Sequence, residues 1–137
     1  MNMKKVSKLV VIDGDNKYLM MWRGDHPTFL NDPDLPGGTV EIGESSLDAM
    51  LREVVEEAGF SVNKKAVKKL YEGDEYSVHH TCYSLYVVKI SKRPKVTISW
   101  EHSSYVWLDR DQFLFKAKNA VDSYMHMVHD VMSSNNI

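Results

Sequence analysis

The stretch "GESSLDAMLREVVEEAGF", residues 43–60, constrains the fold more than any other, because it specifies a helix together with both of its ends. Ser45 is a good N-cap, Asp48 three residues on makes a capping-box-like pair with it, and Gly59 suits the position just past the C-terminus. Leu47, Leu51, Val54 and Ala58 fall within an arc of about 60° at roughly 100° per residue, so that side is expected to face a core. Glu53, Glu56 and Glu57 fall within an arc of about 100° on the far side, at spacings of three and four that bring their side chains together. An amphipathic helix of this kind needs an apolar surface to lie on, and the rest of the chain must supply it.

The flanking patterns supply strands. "KLVVIDGDNKYLMMW" reads as two strands around the turn formers Asp13, Gly14, Asp15 and Asn16, a hairpin whose second arm delivers Trp22 and Arg23 to its end. "GDHPTFLNDPD", with two prolines and a glycine, reads as a surface loop leading into "LPGG". Strands are expected in "SVNKKAVKKLYEGDEYSV" and "HTCYSLYVVKI", and shorter ones in "VTISW" and "SYVWL". Val121, Tyr124, Met125, Val128, Val131 and Met132 recur at helical spacing and form the apolar stripe of a last helix. The early hairpin implies antiparallel pairing, and no regular βαβ rhythm is present. An α/β fold with a mixed sheet between helices is the economical reading, in a single domain spanning residues 1–137.

Charge and composition narrow the function. Net charge is −2 and the lysines lie in short scattered groups, which fits solvated surface and gives no footprint for duplex nucleic acid. Cys82 is the only cysteine, which rules out an internal disulfide and a cysteine-rich zinc site; a reduced, buried thiol is expected. The N-terminal apolar run is broken by Ser7 and Lys8 and ends at Asp13, too short for a signal peptide, and no run reaches membrane-spanning length. A cytoplasmic enzyme or binding protein, monomer or homodimer, is the expectation.

The three glutamates have two readings. One is a solvated acidic face. Such faces usually interleave lysines, however, and here the only basic residue in the helix is Arg52. Close like charges cost a few tenths of a kcal/mol per exposed pair, and more when shielded from water. A divalent cation reverses that sign, and hard cations such as Mg²⁺ suit carboxylates and phosphate oxygens. Arg52, four residues before Glu56, is placed to orient one carboxylate while others bind metal.

Gly38, five residues, Glu44, seven residues and then "REVVEEAGF" resemble the Nudix box, G-x5-E-x7-R-E-U-x-E-E-x-G-U with U a bulky apolar residue, over residues 38–60. The "LPGG" segment and an E-x5-W-L pattern from Glu101 to Leu108 are similar to MutT-like members. The resemblance implies an α/β/α sandwich and Mg²⁺- or Mn²⁺-dependent hydrolysis of a nucleoside diphosphate linked to another group. It implies Glu53, Glu56 and Glu57 as metal ligands, with a backbone carbonyl of Gly37 or Gly38 as a further one. Glu44 and Arg52 are implied as groups that position ligands or water. The general base would be Glu53 or a later acid, for which Glu101 stands in the expected loop as base or metal ligand, with a surface role as the alternative.

Substrate residues are less defined. Arg23 is a candidate for a substrate phosphate, or a plain surface arginine. By the same resemblance Asn119, near the start of the last helix, is a candidate for reading a guanine-type base, or only an N-cap. Trp22, His26, Phe29 and Tyr83 are candidates for stacking or for core, and Tyr76 stands near a tyrosine position of diadenosine polyphosphate hydrolases. His79 and His80, read as neighbours in a strand, would point to opposite faces, and His126 and His129 to the polar side of the last helix. The leading expectation is a nucleoside triphosphate pyrophosphohydrolase, with oxidised guanine nucleotides among its candidate substrates. The alternatives are a diadenosine polyphosphate or other nucleoside-diphosphate-X hydrolase, an mRNA-cap hydrolase, and a Nudix-fold module that binds a nucleotide without turnover.

Overall fold

The computed structural model of the protein describes residues 3–24 and 28–137. His26 therefore lies outside the described residues. The hairpin is present: β1 (Lys5–Ile12) and β2 (Tyr18–Arg23) pair antiparallel. In their turn Asp13 Oδ1 accepts the backbone N–H groups of Asp15 and Lys17, both at 2.9 Å, and Asn16 adopts a φ of 58°. Two short strands, β3 (Pro33–Asp34) and β4 (Gly37–Thr39), pair with β2 and β1 respectively. After helix α1 (Ser46–Ala58) come β5 (Lys68–Gly73), β6 (Cys82–Lys89) and β7 (His102–Leu108), followed by helices α2 (Arg110–Lys118) and α3 (Ser123–Ser133). β6 runs parallel to β1 while β5 on β6 and β7 on β2 are antiparallel, so the sheet is mixed.

β1 carries consecutive apolar residues because both of its faces are covered. Leu9 and Val11, with Leu19, Met21, Tyr86 and Val88, meet Met50, Val54 and Ala58 of α1. Val10 and Ile12, with Met20, Leu85 and Val87, meet Phe113 of α2 and Tyr124, Met125 and Val128 of α3. The result is the α/β/α sandwich. Among the described residues no helix is long and apolar enough to cross a membrane.

Several local expectations give way. "VTISW" forms no strand; it runs past the C-terminal end of α1, where the N–H groups of Thr97 and Ser99 donate to the carbonyls of Ala58 (2.9 Å) and Glu57 (3.2 Å). Those carbonyls lack partners within the helix, and the extended segment satisfies them instead of pairing with a sheet edge. Residues 61–67 hold only a 3-10 turn, Lys64–Ala66, so the strand starts at Lys68. His79 and His80 lie in the β5–β6 connection, with His80 at a φ of 53°, and strand alternation does not govern them. Val121 precedes α3 and is exposed, while Met127 joins the buried face of that helix. Cys82 is half-buried, and burial raises its thiol pKa.

α1 keeps its expected caps: Ser45 accepts the Asp48 N–H, and Gly59 closes the helix at a φ of 77°. Its buried face, however, is Ala49, Met50, Val54, Glu57 and Ala58, with Leu47 and Leu51 only partly covered. The helix is turned so that the acidic edge rolls toward the sheet. This rotation shapes the site.

Candidate functional site

The three glutamates occupy three different environments. Glu56 is exposed, and its Oε2 lies 3.2 Å from Arg52 Nη1. Glu53 is half-buried, with Oε1 3.0 Å from the same guanidinium nitrogen. Glu57 is 5% exposed, and its Oε2 accepts the Gly37 N–H at 3.1 Å. The expectation that all three sit on the far side of the helix from the core fails for Glu57. Its burial pushes the carboxyl pKa up to about 8, Asp34 and Glu101 add to the rise, and Lys8 and the Gly37 N–H oppose it. Glu53 is also raised, first by burial and then by Glu56 and Glu101, against the pull of Arg52.

Arg52 organises the outer half of the site. Its Nε and Nη2 grip Glu44 at 2.8 and 3.0 Å, a bidentate fork, and its Nη2 also donates to the Thr39 carbonyl at 3.3 Å. The guanidinium first, and then the Glu41 N–H, lower the Glu44 pKa to about 2. Arg52 thus ties the loop before α1 to β4 and holds Glu53 in one orientation.

A second charged cluster lies beneath the first. Lys8 and Asp34, both buried, form an ion pair. Asp34 also takes His102 Nε2 at 2.9 Å and Arg23 Nη2 at 3.3 Å, and Arg23 Nη2 reaches Asp122 Oδ2 at 2.7 Å. Burial alone would raise the Asp34 pKa, but Lys8, His102 and Arg23 together hold it far below the usual carboxylate range. Asp32 joins this frame to the last helix by accepting the N–H groups of Val121 (2.9 Å) and Asp122 (3.0 Å). A cavity of about 650 Å³ opens over this second cluster and Glu57, with Lys8, Arg23, Asp34, Gly37, Gly38, Glu57, Glu101 and Asp122 in its walls.

The structure thereby brings Glu57, Gly37, Gly38, Glu101 and Arg23 to one cavity, with Glu53 against Gly38 and Glu44 and Arg52 behind it. Arg23 is no plain surface residue; two carboxylates hold it, and its side chain is mostly covered. Phe29 and Tyr83 line the cavity, whereas Trp22 packs at the core margin with Lys116 over its ring. Asn119 stands apart. It ends α2 and does not cap α3, its Nδ2 donates to the Phe115 carbonyl at 2.8 Å, and Asp122 is the N-cap of α3. Tyr76 is tied to Asp130 at 2.7 Å. His126 meets the Ala120 carbonyl and His129 meets Asp130. Sequence reasoning missed Lys8, Asp34, His102 and Asp122. Its available signal was Lys8, a charge on the same strand face as the apolar Val6, Val10 and Ile12.

Among the described residues, no three His, Cys, Asp or Glu side chains already converge on one point that would hold a metal ion. The donor chemistry nonetheless fits a hard divalent cation: Glu57 is a buried carboxylate facing other acids across a cavity, and Glu53 presses on glycine. Glu53 and Glu57, with a carbonyl of Gly37 or Gly38, are the groups that would hold it; Glu56 and Glu101 would complete the set.

The two glycines give a prediction. A Cβ at Gly38 would sit 2.7 Å from Glu53 Cδ, the mobile end of a side chain, so Gly38→Ala is expected to fold and to displace that carboxylate. Mn²⁺ affinity should fall by about 10-fold or more, measured by calorimetry, with the melting temperature nearly unchanged. At Gly37 the φ is +144° and a Cβ would come within 2.5 Å of Lys8 Cα, which is backbone that cannot move aside. Gly37→Ala should therefore destabilise by about 3 kcal/mol, read from urea unfolding.

The chain is similar to known proteins in sequence and in fold. A Bacillus subtilis (strain 168) protein provisionally named 8-oxo-dGTP diphosphatase is 32% identical over 68 residues, 50% of this chain and 43% of that protein. The ADP-ribose pyrophosphatase of Methanocaldococcus jannaschii is 37% identical over 65 residues, 47% of this chain and 38% of that protein. The matched stretch thus spans less than half the length of either curated relative. The NUDIX domain of Shewanella oneidensis NrtR, solved in complex with ADP ribose, superposes with a TM-score of 0.74 over 98% of this chain and 88% of that one, at 17% identity, a likeness of fold. The NUDIX domain family model matches residues 2–130, almost the whole chain, and the protein belongs to the Nudix family.

Proposed function

We propose that this protein is a divalent-metal-dependent hydrolase of the phosphoanhydride bond in nucleoside diphosphate derivatives. The narrower reading is a nucleoside triphosphate pyrophosphohydrolase that releases a monophosphate and pyrophosphate, with oxidised guanine nucleotides among its substrates. The observation that carries the proposal is Glu57: a buried carboxylate opening on a cavity of about 650 Å³, its pKa raised by that burial first and then by Asp34 and Glu101, with Lys8 and Arg23 in the same walls. A cavity with both acids and cations suits a polyphosphate brought in with a cation. Mg²⁺ or Mn²⁺, when bound, supplies charge neutralisation on the non-bridging and leaving oxygens.

The chain's own residues supply the rest. Arg52 holds Glu53, Glu44 holds Arg52, and Gly38 leaves space for the Glu53 carboxylate. Glu101 or Glu53 takes the proton of the attacking water. Lys8 and Arg23 offer positive charge to the phosphates, Arg23 in exchange for one of its two carboxylates. The single thiol, Cys82, is compatible with a reducing, cytoplasmic setting.

Incubation with a panel of nucleotides tests the proposal: triphosphates including 8-oxo-dGTP, ADP-ribose and a diadenosine polyphosphate, each with Mg²⁺ or Mn²⁺. Release of phosphate or pyrophosphate is expected, with a loss of more than about 100-fold in Glu57→Gln. Saturable binding without release would instead favour a binding module. That second reading has its own support, since Arg52 already occupies Glu53 and Glu56 and leaves Glu57 as the one box acid lining the cavity.

A further inference from the structure

Residues 97–102 join the end of the helix bearing the box acids to the start of β7, and they are fixed at several points. The N–H groups of Thr97 and Ser99 donate to the Ala58 and Glu57 carbonyls of α1. The Glu101 carbonyl accepts the Gly24 N–H at 3.0 Å, and the His102 N–H turns back to the Ser99 carbonyl at 3.2 Å. Beyond these backbone ties comes one side-chain pin. The His102 imidazole is buried, and its Nε2 lies 2.9 Å from Asp34 Oδ2, on the carboxylate that also holds Lys8 and Arg23. An ionised carboxylate only accepts, so Nε2 carries the proton and donates. Nδ1 has no partner among the described residues.

A buried imidazole at a strand end costs desolvation that an apolar side chain would avoid. What it gives in return is a directed bond from the loop to the buried charge cluster around Asp34 of β3, and the neighbouring residue, Glu101, lines the same cavity as Glu57. We infer that His102 is a positioning residue: anchored on Asp34, it sets the loop that presents Glu101 to the cavity that Glu57 also lines. The catalytic consequence rests on the hydrolase reading; the mechanical one does not. By this inference His102 acts through Glu101 and touches no reacting atom.

The test combines His102→Leu, His102→Gln, Glu101→Gln and the double variant His102→Leu/Glu101→Gln. Two readouts are independent of turnover: the Mn²⁺ dissociation constant by calorimetry, and amide hydrogen exchange at Gly24 and Ser99 in the metal-free protein. H102L should weaken Mn²⁺ binding about 10-fold, as should E101Q, and the double variant should be no weaker than E101Q alone. H102Q, which keeps a donor for Asp34, should restore most of the affinity. In H102L the Gly24 and Ser99 amides should exchange faster. Additive effects of the two substitutions, or unchanged exchange in H102L, would overturn the inference. If the wild-type protein takes up no manganese and cleaves no nucleotide, the proposed function falls; faster exchange in H102L would then still uphold the pin.

Discussion

Asp34→Ala is expected to lower the unfolding free energy by about 3–5 kcal/mol, a large part of what holds a domain of this size together. The side chain itself is small, and the loss of packing is minor. The cost arises because Lys8, held by Asp34 with little solvent contact, would keep its charge in the core without its counter-ion, and Arg23 would be left with Asp122 alone. Lys8→Met should cost less, since Asp34 would retain His102 at 2.9 Å and Arg23 at 3.3 Å. Combining the two substitutions should cost less than their sum, because each removes the charge that the other strands. Urea unfolding followed by tryptophan fluorescence measures all three; a midpoint for Asp34→Ala within experimental error of wild type would show the network to be solvated. The pH dependence has a definite sign. The folded-state pKa of Asp34 is depressed, so its contribution is present above the unfolded value of 3.8 and is lost only as pH falls toward the much lower folded value. The Asp34→Ala variant should therefore lack part of the acid-side loss of stability that wild type shows below about pH 4.

What the sequence revealed and what it concealed divide along range. The hairpin around Asp13, the caps Ser45 and Gly59, and the box spacing are local, and each is found where local rules put it. The sandwich was legible because β1 is apolar on both faces and α1 on one. The Lys8–Asp34–His102 cluster was not legible, since its members lie 26 and 68 residues apart and only the folded sheet brings them together. Lys8 therefore read as a mere interruption of an apolar run. The reading of Asn119 as an N-cap of the last helix failed for a related reason: asparagine and aspartate both cap helices, and the point where α2 stops leaves that place to Asp122. "VTISW" has strand-like composition but was claimed by the unpaired carbonyls of α1. The rotation of α1 that buries Glu57 was hidden in the same way, because a helical wheel gives the order of the residues around the axis and leaves open which arc meets the sheet.

That rotation makes Glu57→Gln the sharpest single test of how stability and metal binding are linked. In the metal-free protein the variant should be more stable than wild type at pH 8 and above, by a few kcal/mol. The folded pKa of Glu57, about 8, lies above its ordinary value of 4.5, so the folded protein holds a proton there that the unfolded chain has released. Below pH 4.5 both states are protonated and Glu57 imposes no penalty; between 4.5 and about 8 the penalty grows, and above that it is constant. At about 1.36 kcal/mol per unit the full span is on the order of 5 kcal/mol, an upper limit that relaxation of the site reduces. Glutamine carries no charge to bury and keeps an oxygen to accept the Gly37 N–H, so the variant should lose this slope while retaining the hydrogen bond. Glu53 shifts in the same direction, and the relevant quantity is therefore the difference between wild type and variant across the pH range. Added Mg²⁺ or Mn²⁺ should work against that ranking. At a hundred times its dissociation constant a ligand of the folded state contributes about 2.7 kcal/mol, and wild type should rise in melting temperature while the variant barely responds. Thermal unfolding from pH 5 to 9, with and without metal, measures both halves. Parallel stability curves for the two proteins in the absence of metal would mean that the Glu57 carboxylate is solvated, and an equal metal response would mean that the cation is held elsewhere.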